Sequence, residues 1–270
     1  MQISRFSGSL LDAIQQRGVG KVRPIAHIVL LCGLFSTINF RHDVPTFEAP
    51  CKWPNIWRML QYVTVPVTPF QQNCSIIWCD ETMKAAIVDP GGDLPVLEAA
   101  CQQRGVTLEQ IWITHAHIDH AGGTADLAEK LNLPIIGPHE GDQFWIDGLP
   151  QAAASYHFPP ARPFKPTRWL HDGDTVSLGA HTLQVRHCPG HTPGHVVFYA
   201  PEIKRAFVGD VLFAGSIGRT DFPRGNHQDL IDSITQRLWP MGDDTVFIPG
   251  HGPESTFGRE RVSNPYVGGT

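Results

Sequence analysis

The sequence has few cysteines, no excess of positive charge and no long apolar run. Its six cysteines include no C-x-x-C pair, so buried, unpaired thiols and a reducing, cytoplasmic compartment are expected. No apolar stretch approaches the roughly 20 residues that a membrane-spanning helix needs. The formal net charge of -5 disfavours nucleic acid and membrane surfaces as partners, because both attract an excess of Lys and Arg.

The composition is that of a globular protein with two unequal segments. Of 270 residues, 41% are apolar and 17% are charged, which excludes a disordered chain. Residues 1–58 carry a net charge of +4 and residues 59–270 one of -9. We therefore predict an N-terminal extension over 1–58, outside the fold, and one domain over 59–270. Met59 is a plausible natural start; the alternative is a targeting segment around the apolar run from Ile25 to Ile38.

From Met59 onward, short β-branched and aromatic runs alternate with helical patterns. "MLQYVTVPV", "NCSIIWC", "KAAIVD" and "LEQIWIT" are typical of strands. Asp93 as cap and Gly105 as stop predict a helix between them, and "GGTADLAEKLN" predicts another. A short strand, "LPIIG", is expected next, and weaker structure after it through the Pro-rich "HFPPARPFKPTRW". "HTLQVRHC", "HVVFYA", "RAFVGD" and "DTVFIPGH" predict a second group of strands, interrupted by the helical "NHQDLIDSITQRLWP". The pattern favours a layered α/β or α+β domain whose functional loops cluster at one edge of its sheets.

The stretch "ITHAHIDHAGG", from Ile113 to Gly123, follows one of these strands. His115 and His117 are two positions apart, so on an extended backbone both side chains point the same way. Asp119 and His120 lie where the chain turns into a helix, and their side chains can face a point next to the one that His115 and His117 face. One loop can therefore serve two adjacent metal ions, and its imidazole and carboxylate ligands suit zinc, iron or manganese.

Three later strand ends carry further candidate ligands. His191 lies in "CPGHTPGH", Asp210 in "FVGD" and His251 in "IPGHGP", each in a Gly- or Pro-containing loop held by a strand. A carboxylate such as Asp210 can bridge two cations, which a neutral imidazole cannot. A purely structural zinc site is disfavoured because such sites are usually Cys-rich and close at four ligands.

These motifs together resemble the metallo-β-lactamase superfamily, and specifically its glyoxalase II (hydroxyacylglutathione hydrolase) branch. The likeness covers essentially all of residues 59–270, including "THAHIDH", "PGHTPGH", "GRTDFPRG" and "GPESTFGRERVSNPY". It implies a four-layer αββα sandwich with a dinuclear centre at the sheet edges. It also implies a metal-dependent thioester hydrolase acting on S-lactoylglutathione or a related hydroxyacyl thioester.

The resemblance assigns a role to each candidate residue. One metal would be held by His115, His117 and His191, and the other by Asp119, His120 and His251, with Asp210 as the bridge. Two divalent ions are implied, Zn²⁺ first and Fe or Mn as alternatives; Asp119 and Asp210 would act in catalysis together with hydroxide generated on the ions. Asp89 in "VDPGG" would orient ligands by hydrogen bonds. His187 and His195 match no ligand position and are predicted to be structural or supporting.

The chain departs from full-length glyoxalase II after its last metal histidine. Only 19 residues follow His251. We therefore expect the helical domain, which supplies basic residues for glutathione in full-length members, to be lacking, and the chain resembles a short form of the family. Arg219 and Arg224 are candidate substrate contacts, although Arg219 alternatively pairs with Asp221. The expected partner is a small-molecule thioester.

Two other functions are compatible with these motifs. "GRTDF" also resembles the persulfide dioxygenases, which hold a single iron by residues corresponding to His115, His191 and Asp210. A metal-binding module without catalysis is the second alternative. Oligomeric state is open.

Overall fold

The computed structural model describes residues 59–269. The predicted N-terminal extension, residues 1–58, lies outside the described residues, as do Cys32 and Cys51, so the proposed domain division stays a prediction. Among the described residues, no helix combines the length and apolar character needed to span a membrane.

Thirteen strands and seven α-helices are formed by residues 59–269. The strands are β1 Leu60–Val67, β2 Gln72–Cys79, β3 Lys84–Val88, β4 Thr107–Trp112, β5 Ile135–Ile136, β6 Thr175–Leu178, β7 His181–His187, β8 Val196–Ala200, β9 Arg205–Gly209, β10 Leu212–Phe213, β11 Ser216–Ile217, β12 Val246–Pro249 and β13 Ser255–Thr256. The helices are α1 Leu94–Arg104, α2 Ile118–Ala121, α3 Thr124–Leu131, α4 Gln143–Asp147, α5 Leu149–Tyr156, α6 His227–Asp232 and α7 Phe257–Ser263.

The larger strands form two mixed sheets. The first has the order β1-β2-β3-β4-β5, the second has the order β13-β12-β9-β8-β7-β6, and β10 and β11 form a separate hairpin. The strands β4 and β12, which lead into the loops of His115 and His251, each run parallel to a neighbour, β3 and β9 respectively. The strand before the His191 loop, β7, is antiparallel to β8, which is itself antiparallel to β9, so β7 points the same way as β9. Parallel neighbours end at the same edge, which is why loops distant in sequence meet there.

Three apolar clusters separate four layers. The central cluster lies between the two sheets and includes Trp112 and Phe198, whose rings stack with centroids 5.3 Å apart. A second cluster buries α1, α3, α4 and α5 against the first sheet, and the third buries α6 and α7 against the other. The arrangement is the predicted αββα sandwich, and that prediction is confirmed.

Several local predictions are confirmed and others are corrected. Gly105 ends α1 with φ of 66°, and its N–H donates to the carbonyls of Cys101 and Gln102. Asp93 precedes α1 as predicted but makes no side-chain cap; its carboxylate accepts from the backbone N–H of Thr68 at 2.8 Å. The helical run after Asn226 is an α-helix only to Asp232 and continues as a π-helix to Leu238.

The segment after β5 is more ordered than its sequence indicates. We expected weak structure there, yet α4 and α5 follow one another across Gly148. The Gly148-Leu149-Pro150 stretch hides the helical pattern, because Gly and Pro normally end helices; here Pro150 sits in the first turn of α5, where its missing N–H costs nothing.

Candidate metal centre

The seven predicted ligands lie together at one edge of the two sheets. Four come from the loop after β4 and from α2, and the others come from the loops after β7, β9 and β12. The strands deliver these loops from both sheets, so each side chain reaches the same point from a rigid support. All but His117 and His251 are fully buried or nearly so.

Three of the imidazoles form what we call the first group: His115, His117 and His191. Their candidate ligand atoms all lie within 4.8 Å of one another, and Nε2 of His191 is 2.9 Å from Nδ1 of His117. The other ring nitrogen of His191, Nδ1, donates to the carbonyl of Arg219 at 2.7 Å. That hydrogen bond places the proton on Nδ1 and leaves Nε2 with a free lone pair for a cation.

The second group consists of Asp119, His120 and His251, whose ligand atoms also lie within 4.8 Å of one another. Nε2 of His251 is 3.1 Å from Oδ2 of Asp119, while its Nδ1 donates to the carbonyl of Phe70 at 3.1 Å. His251 thus shows the same pattern as His191. One nitrogen is held by a backbone carbonyl and the other faces the group.

Asp210 lies between the two groups. Its Oδ1 is 3.3 Å from Nε2 of His120, and its Oδ2 is 3.5 Å from Nε2 of His191. Gly250 makes this closeness possible, since a Cβ there would lie 2.1 Å from Oδ1 of Asp210 and 2.6 Å from Cε1 of His120. The carboxylate therefore faces one group with each oxygen, which is the geometry of a bridging ligand.

The donor set fits divalent cations. Nε2 of His115, Nε2 of His120 and Oδ1 of Asp210 are buried and have no hydrogen-bond partner. Buried polar atoms without partners cost roughly 1–3 kcal/mol each, and their concentration in one place is unusual for a folded protein. Cations between the two groups would satisfy them together.

The pKa values differ between the two groups. Burial and neighbouring imidazoles lower the pKa of His115 and His117 well below the usual value, and burial also lowers that of His191. Burial opposes charge on His120 as well, but the carboxylates of Asp210 and Asp119 outweigh it and raise the pKa of His120 well above its usual value. The first group is therefore ready to bind a cation at neutral pH, whereas His120 must first lose a proton.

The fold and this geometry match one family. The sequence of residues 67–251 matches the family model of the Metallo-beta-lactamase superfamily. The chain belongs to this superfamily. Hydroxyacylglutathione hydrolase GloC of Haemophilus influenzae is 44% identical over 204 residues, which are 75% of this chain and 96% of that protein.

Two solved structures are also similar to this chain. BLEG-1, described as a B3 metallo-beta-lactamase, has a TM-score of 0.71 and 33% identity, and the match covers 77% of this chain and 100% of BLEG-1. TTHA1623, solved in a di-iron-bound form, has a TM-score of 0.69 and 38% identity, covering 76% of this chain and 99% of its own. With the His/Asp groups described above, superfamily membership indicates a metal-dependent hydrolase with divalent metal binding.

Asp89 lies beneath this metallo-β-lactamase-type centre and contacts both groups. It is 2% exposed, and its Oδ1 accepts from the backbone N–H of Thr114 at 2.7 Å. Its Oδ2 accepts from the Thr114 hydroxyl at 2.6 Å and from Nδ1 of His120 at 2.9 Å. The Thr114 hydroxyl in turn lies 3.1 Å from Nδ1 of His115. Asp89 therefore orients His120 directly and His115 through Thr114.

Asp142 was not identified from the sequence, although it joins two of the ligand loops. It is fully buried; its Oδ2 accepts from the N–H of Ala116 at 3.0 Å and from the hydroxyl of Thr192 at 2.9 Å, and its Oδ1 accepts from the N–H of Gly194 at 2.6 Å. Burial raises the pKa of this carboxyl to about 6 against those three donors. Its only sequence signal is an acidic residue in the unassigned "HEGDQF" segment.

His187 and His195 lie beside the centre. Nε2 of His195 accepts from the N–H of Asp210 at 3.1 Å, and its ring stacks on that of His115 at 4.6 Å. Nε2 of His187 donates to the carbonyl of Pro193 at 2.9 Å. Each therefore contacts a loop that carries a predicted ligand.

An apolar pocket of about 670 Å³ opens over both groups. Its wall is largely aromatic, with contributions from Phe70, Trp145, Tyr156, Phe213 and Phe222. The pocket borders Asp119, Asp210 and His251. A ligand can thus bury an apolar portion there while a polar group reaches the carboxylates.

The two arginines proposed as substrate contacts differ in position. Arg219 lines the pocket, but its guanidinium pairs with Asp221 at 2.9 and 3.0 Å and lies 4.4 Å from the Phe222 ring centroid. Arg224 stacks over Phe144 at 4.1 Å and is not among the lining residues. The structure thus contains the alternative Arg219–Asp221 ion pair. Because the Asp221 carboxylate partly neutralises the guanidinium, Arg219 should attract an anionic substrate less strongly.

Proposed function

We propose that this chain is a dinuclear-metal thioester hydrolase of the glyoxalase II type, acting on S-lactoylglutathione or a related hydroxyacyl thioester. The observation that carries the proposal is the position of Asp210 between two complete ligand groups beneath one pocket. The identity to GloC over 96% of that enzyme supports the substrate class. We assign His115, His117 and His191 to one ion, Asp119, His120 and His251 to the other, and Asp210 to both.

Ions in these positions, with Zn²⁺ as our first choice, would lower the pKa of water to near 7 and polarise the substrate carbonyl. The chain's own residues supply the rest. The pocket wall holds the substrate's apolar portion and excludes water, and Asp89 keeps the histidines in the orientation that binding requires. Asp119 and Asp210 border the pocket. The Asp119 carboxylate would accept the proton of the attacking water. Despite burial, the neighbouring imidazoles, His120 first, hold the pKa of Asp210 well below its usual value, so Asp210 would stay ionised and serve as the ligand of both ions.

The leaving group needs little assistance in this reaction. A thiol has a pKa of roughly 8.5, so the thiolate departs without a general acid. Arg219 and Arg224 are our candidates for contacts with the carboxylates of a glutathione moiety. The four described cysteines are free. A cytoplasmic location stays our prediction, and so does a small-molecule partner.

The experiment compares two activities on one preparation. The full chain, loaded separately with Zn²⁺, Fe²⁺ or Mn²⁺, is assayed for S-lactoylglutathione cleavage and for oxygen uptake with glutathione persulfide. We expect cleavage without oxygen uptake. Oxygen uptake without cleavage would overturn the proposal in favour of the persulfide dioxygenase, and normal metal content with neither activity would favour a non-catalytic module.

A variant sharpens the comparison. Asp119→Asn removes a ligand from the second group only, so hydrolysis should fall by at least 100-fold, whereas a dioxygenase that uses only His115, His191 and Asp210 should keep its rate. Asp229→Asn, an exposed carboxyl on α6, is the matched control and should leave hydrolysis unchanged.

A further inference from the structure

A second set of metal-binding side chains lies far from the centre just described. A candidate ligand atom from each of Cys79, Asp80 and His181 lies within 4.8 Å of the others. Cys79 is the last residue of β2, whose first residue, Gln72, lies 3.4 Å from His120. An eight-residue strand spans about 23 Å, so this second set occupies the opposite end of the sandwich.

His181 has one paired and one unpaired imidazole nitrogen. Its side chain is 3% exposed, and Nδ1 pairs with a carboxylate oxygen of Glu202. The other nitrogen, Nε2, is buried and has no hydrogen-bond partner. A carboxylate that takes the proton of one imidazole nitrogen leaves the other with a lone pair, which is the usual outer arrangement around a histidine that binds a metal.

Cys79 supplies a soft ligand from the other sheet. Its thiol is free and fully buried, and the two-residue turn between β6 and β7 packs directly over it. Gly179 in that turn has φ of 58°, and a Cβ there would lie 2.9 Å from Sγ of Cys79. The turn therefore requires glycine both for its backbone and for the space that the sulfur needs.

Asp80 completes the set at the surface. Its side chain is exposed, which offers a route for an ion to enter from solvent. Both carboxylate oxygens accept from the backbone N–H of Met59, at 3.1 and 3.2 Å. A carboxylate has about four lone-pair positions, so one hydrogen-bond donor leaves oxygen lone pairs for a cation.

We propose that Cys79, Asp80 and His181 form a separate metal site that holds one borderline-soft divalent ion, of which Zn²⁺ is the physiological type. Thiolate, imidazole and carboxylate are the three ligand classes that Zn²⁺ takes in proteins, with water in the fourth position. The ion joins β2 of the first sheet to β7 of the second. None of its three ligands lines the pocket of the catalytic centre, so the ion would join the sheets without taking part in thioester hydrolysis.

The test uses the sulfur as a spectroscopic label. The proposed catalytic ligands are only His and Asp, so Co²⁺ bound there gives no thiolate-to-cobalt charge-transfer band. We expect the full chain, titrated with Co²⁺, to develop that near-ultraviolet band. Cys79→Ser should lose the band and one equivalent of bound metal relative to the wild type, and keep its thioester hydrolysis.

Controls separate this site from other thiols and from the proposed function. Cys101→Ser, which changes another buried thiol, should retain the band and the full metal content, and His181→Gln should lose both as Cys79→Ser does. A wild-type protein without the band, or a band that persists in Cys79→Ser, would overturn the proposal. The test compares the metal content of the wild type with that of Cys79→Ser, a difference of one equivalent of bound ion. Its outcome therefore does not depend on whether the catalytic centre hydrolyses thioesters.

Discussion

Around the proposed catalytic ions, single side chains decide the orientation of several ligands at once. Asp89 accepts from His120 and from Thr114, and Thr114 passes the constraint to His115. Asp142 fixes the backbone of the two loops that carry His117 and His191, because it accepts a hydrogen bond from an N–H group in each of them. Neither carboxylate faces the pocket. Their effect on activity is therefore expected to act through the position of the ligands.

Asp89→Asn should lower metal affinity about 10- to 100-fold, the usual effect of losing an outer hydrogen-bond partner. The amide offers only one acceptor oxygen, and its NH₂ group faces a hydrogen-bond donor of Thr114 or His120. Competition with a chromophoric chelator measures the affinity. Asp126→Asn, an exposed carboxyl on α3, is the control, and equal affinities for both variants would contradict the assignment.

Asp142→Ala should destabilise the fold, because it leaves the buried N–H groups of Ala116 and Gly194 without an acceptor. Each such donor costs about 1–3 kcal/mol. Asp142→Asn keeps one acceptor oxygen and should lose less. Urea unfolding gives the free energies, with Asp147→Ala on the exposed side of α4 as a control expected to change stability little. Stability unchanged in Asp142→Ala would rule out the role.

Metal uptake should release protons unequally from the two groups. The lowered pKa values of the first group mean neutral imidazoles at pH 7, while His120 and His251 have raised pKa values and must lose protons before they bind. We expect the second group to bind more weakly as pH falls from about 8 to about 6 and the first group to change less. Calorimetric titrations in buffers of different ionisation enthalpy measure the protons released; equal release by both ions would contradict this expectation.

At the scale of secondary structure, α4 and α5 contribute Trp145, Ala152 and Tyr156 to the pocket wall. Trp145 of α4 lies edge-on to His117, with ring centroids 4.5 Å apart, and also contacts Phe222. Tyr156 ends α5 and reaches Phe70 at 5.9 Å. These helices come from the segment whose sequence indicated little structure, so the apolar character of the pocket was not predicted.

Trp145→Ala should weaken substrate binding more than it slows the chemistry. Removing this much apolar contact surface should raise KM for the thioester roughly tenfold, by the free energy of burying an apolar side chain, with kcat changed less than KM. Steady-state kinetics separate the two parameters. Trp169→Ala, which removes another half-buried tryptophan that does not line the pocket, is the matched control. A loss confined to kcat would show that Trp145 acts on His117 instead.

At the scale of the whole molecule, the catalytic centre draws on both sheets. The first sheet supplies the loop after β4 and the second supplies the loops after β7, β9 and β12. Bound ions would therefore connect the two halves of the sandwich at one end. The site proposed at Cys79 would do so at the other.

Removal of metal should consequently lower the melting temperature. An ion that binds only the folded chain at 100 times its Kd contributes about 2.7 kcal/mol, and for a domain of this size about 1 kcal/mol corresponds to roughly 2–4 °C. We expect a chelator to lower Tm by at least about 5 °C and added Zn²⁺ to restore it. Differential scanning calorimetry measures the change, and a Tm indifferent to the chelator would contradict metal-linked stability.

The sequence was most informative where chemistry and strand ends coincide. Histidines and aspartates directly after strand-like runs, from His115 to His251, identified the candidate ligands. The alternation of strands and helices predicted a layered α/β or α+β domain, and the resemblance to the superfamily implied the αββα order of its layers. Local signals also located some element boundaries, such as the end of α1 at Gly105. Those inferences succeeded because each depends on residues close together in the chain.

What the tertiary structure alone decided depends on residues that are far apart in the chain. The order and packing of the strands place Asp210 between the two groups and bring Asp142 into contact with both ligand loops. They also bring the aromatic side chains of α4 and α5 into the pocket wall and place Cys79 near His181. Ligand type is a property of a side chain and can be read from the sequence. The distance between two side chains is a property of the whole packed molecule, and no local pattern encodes it.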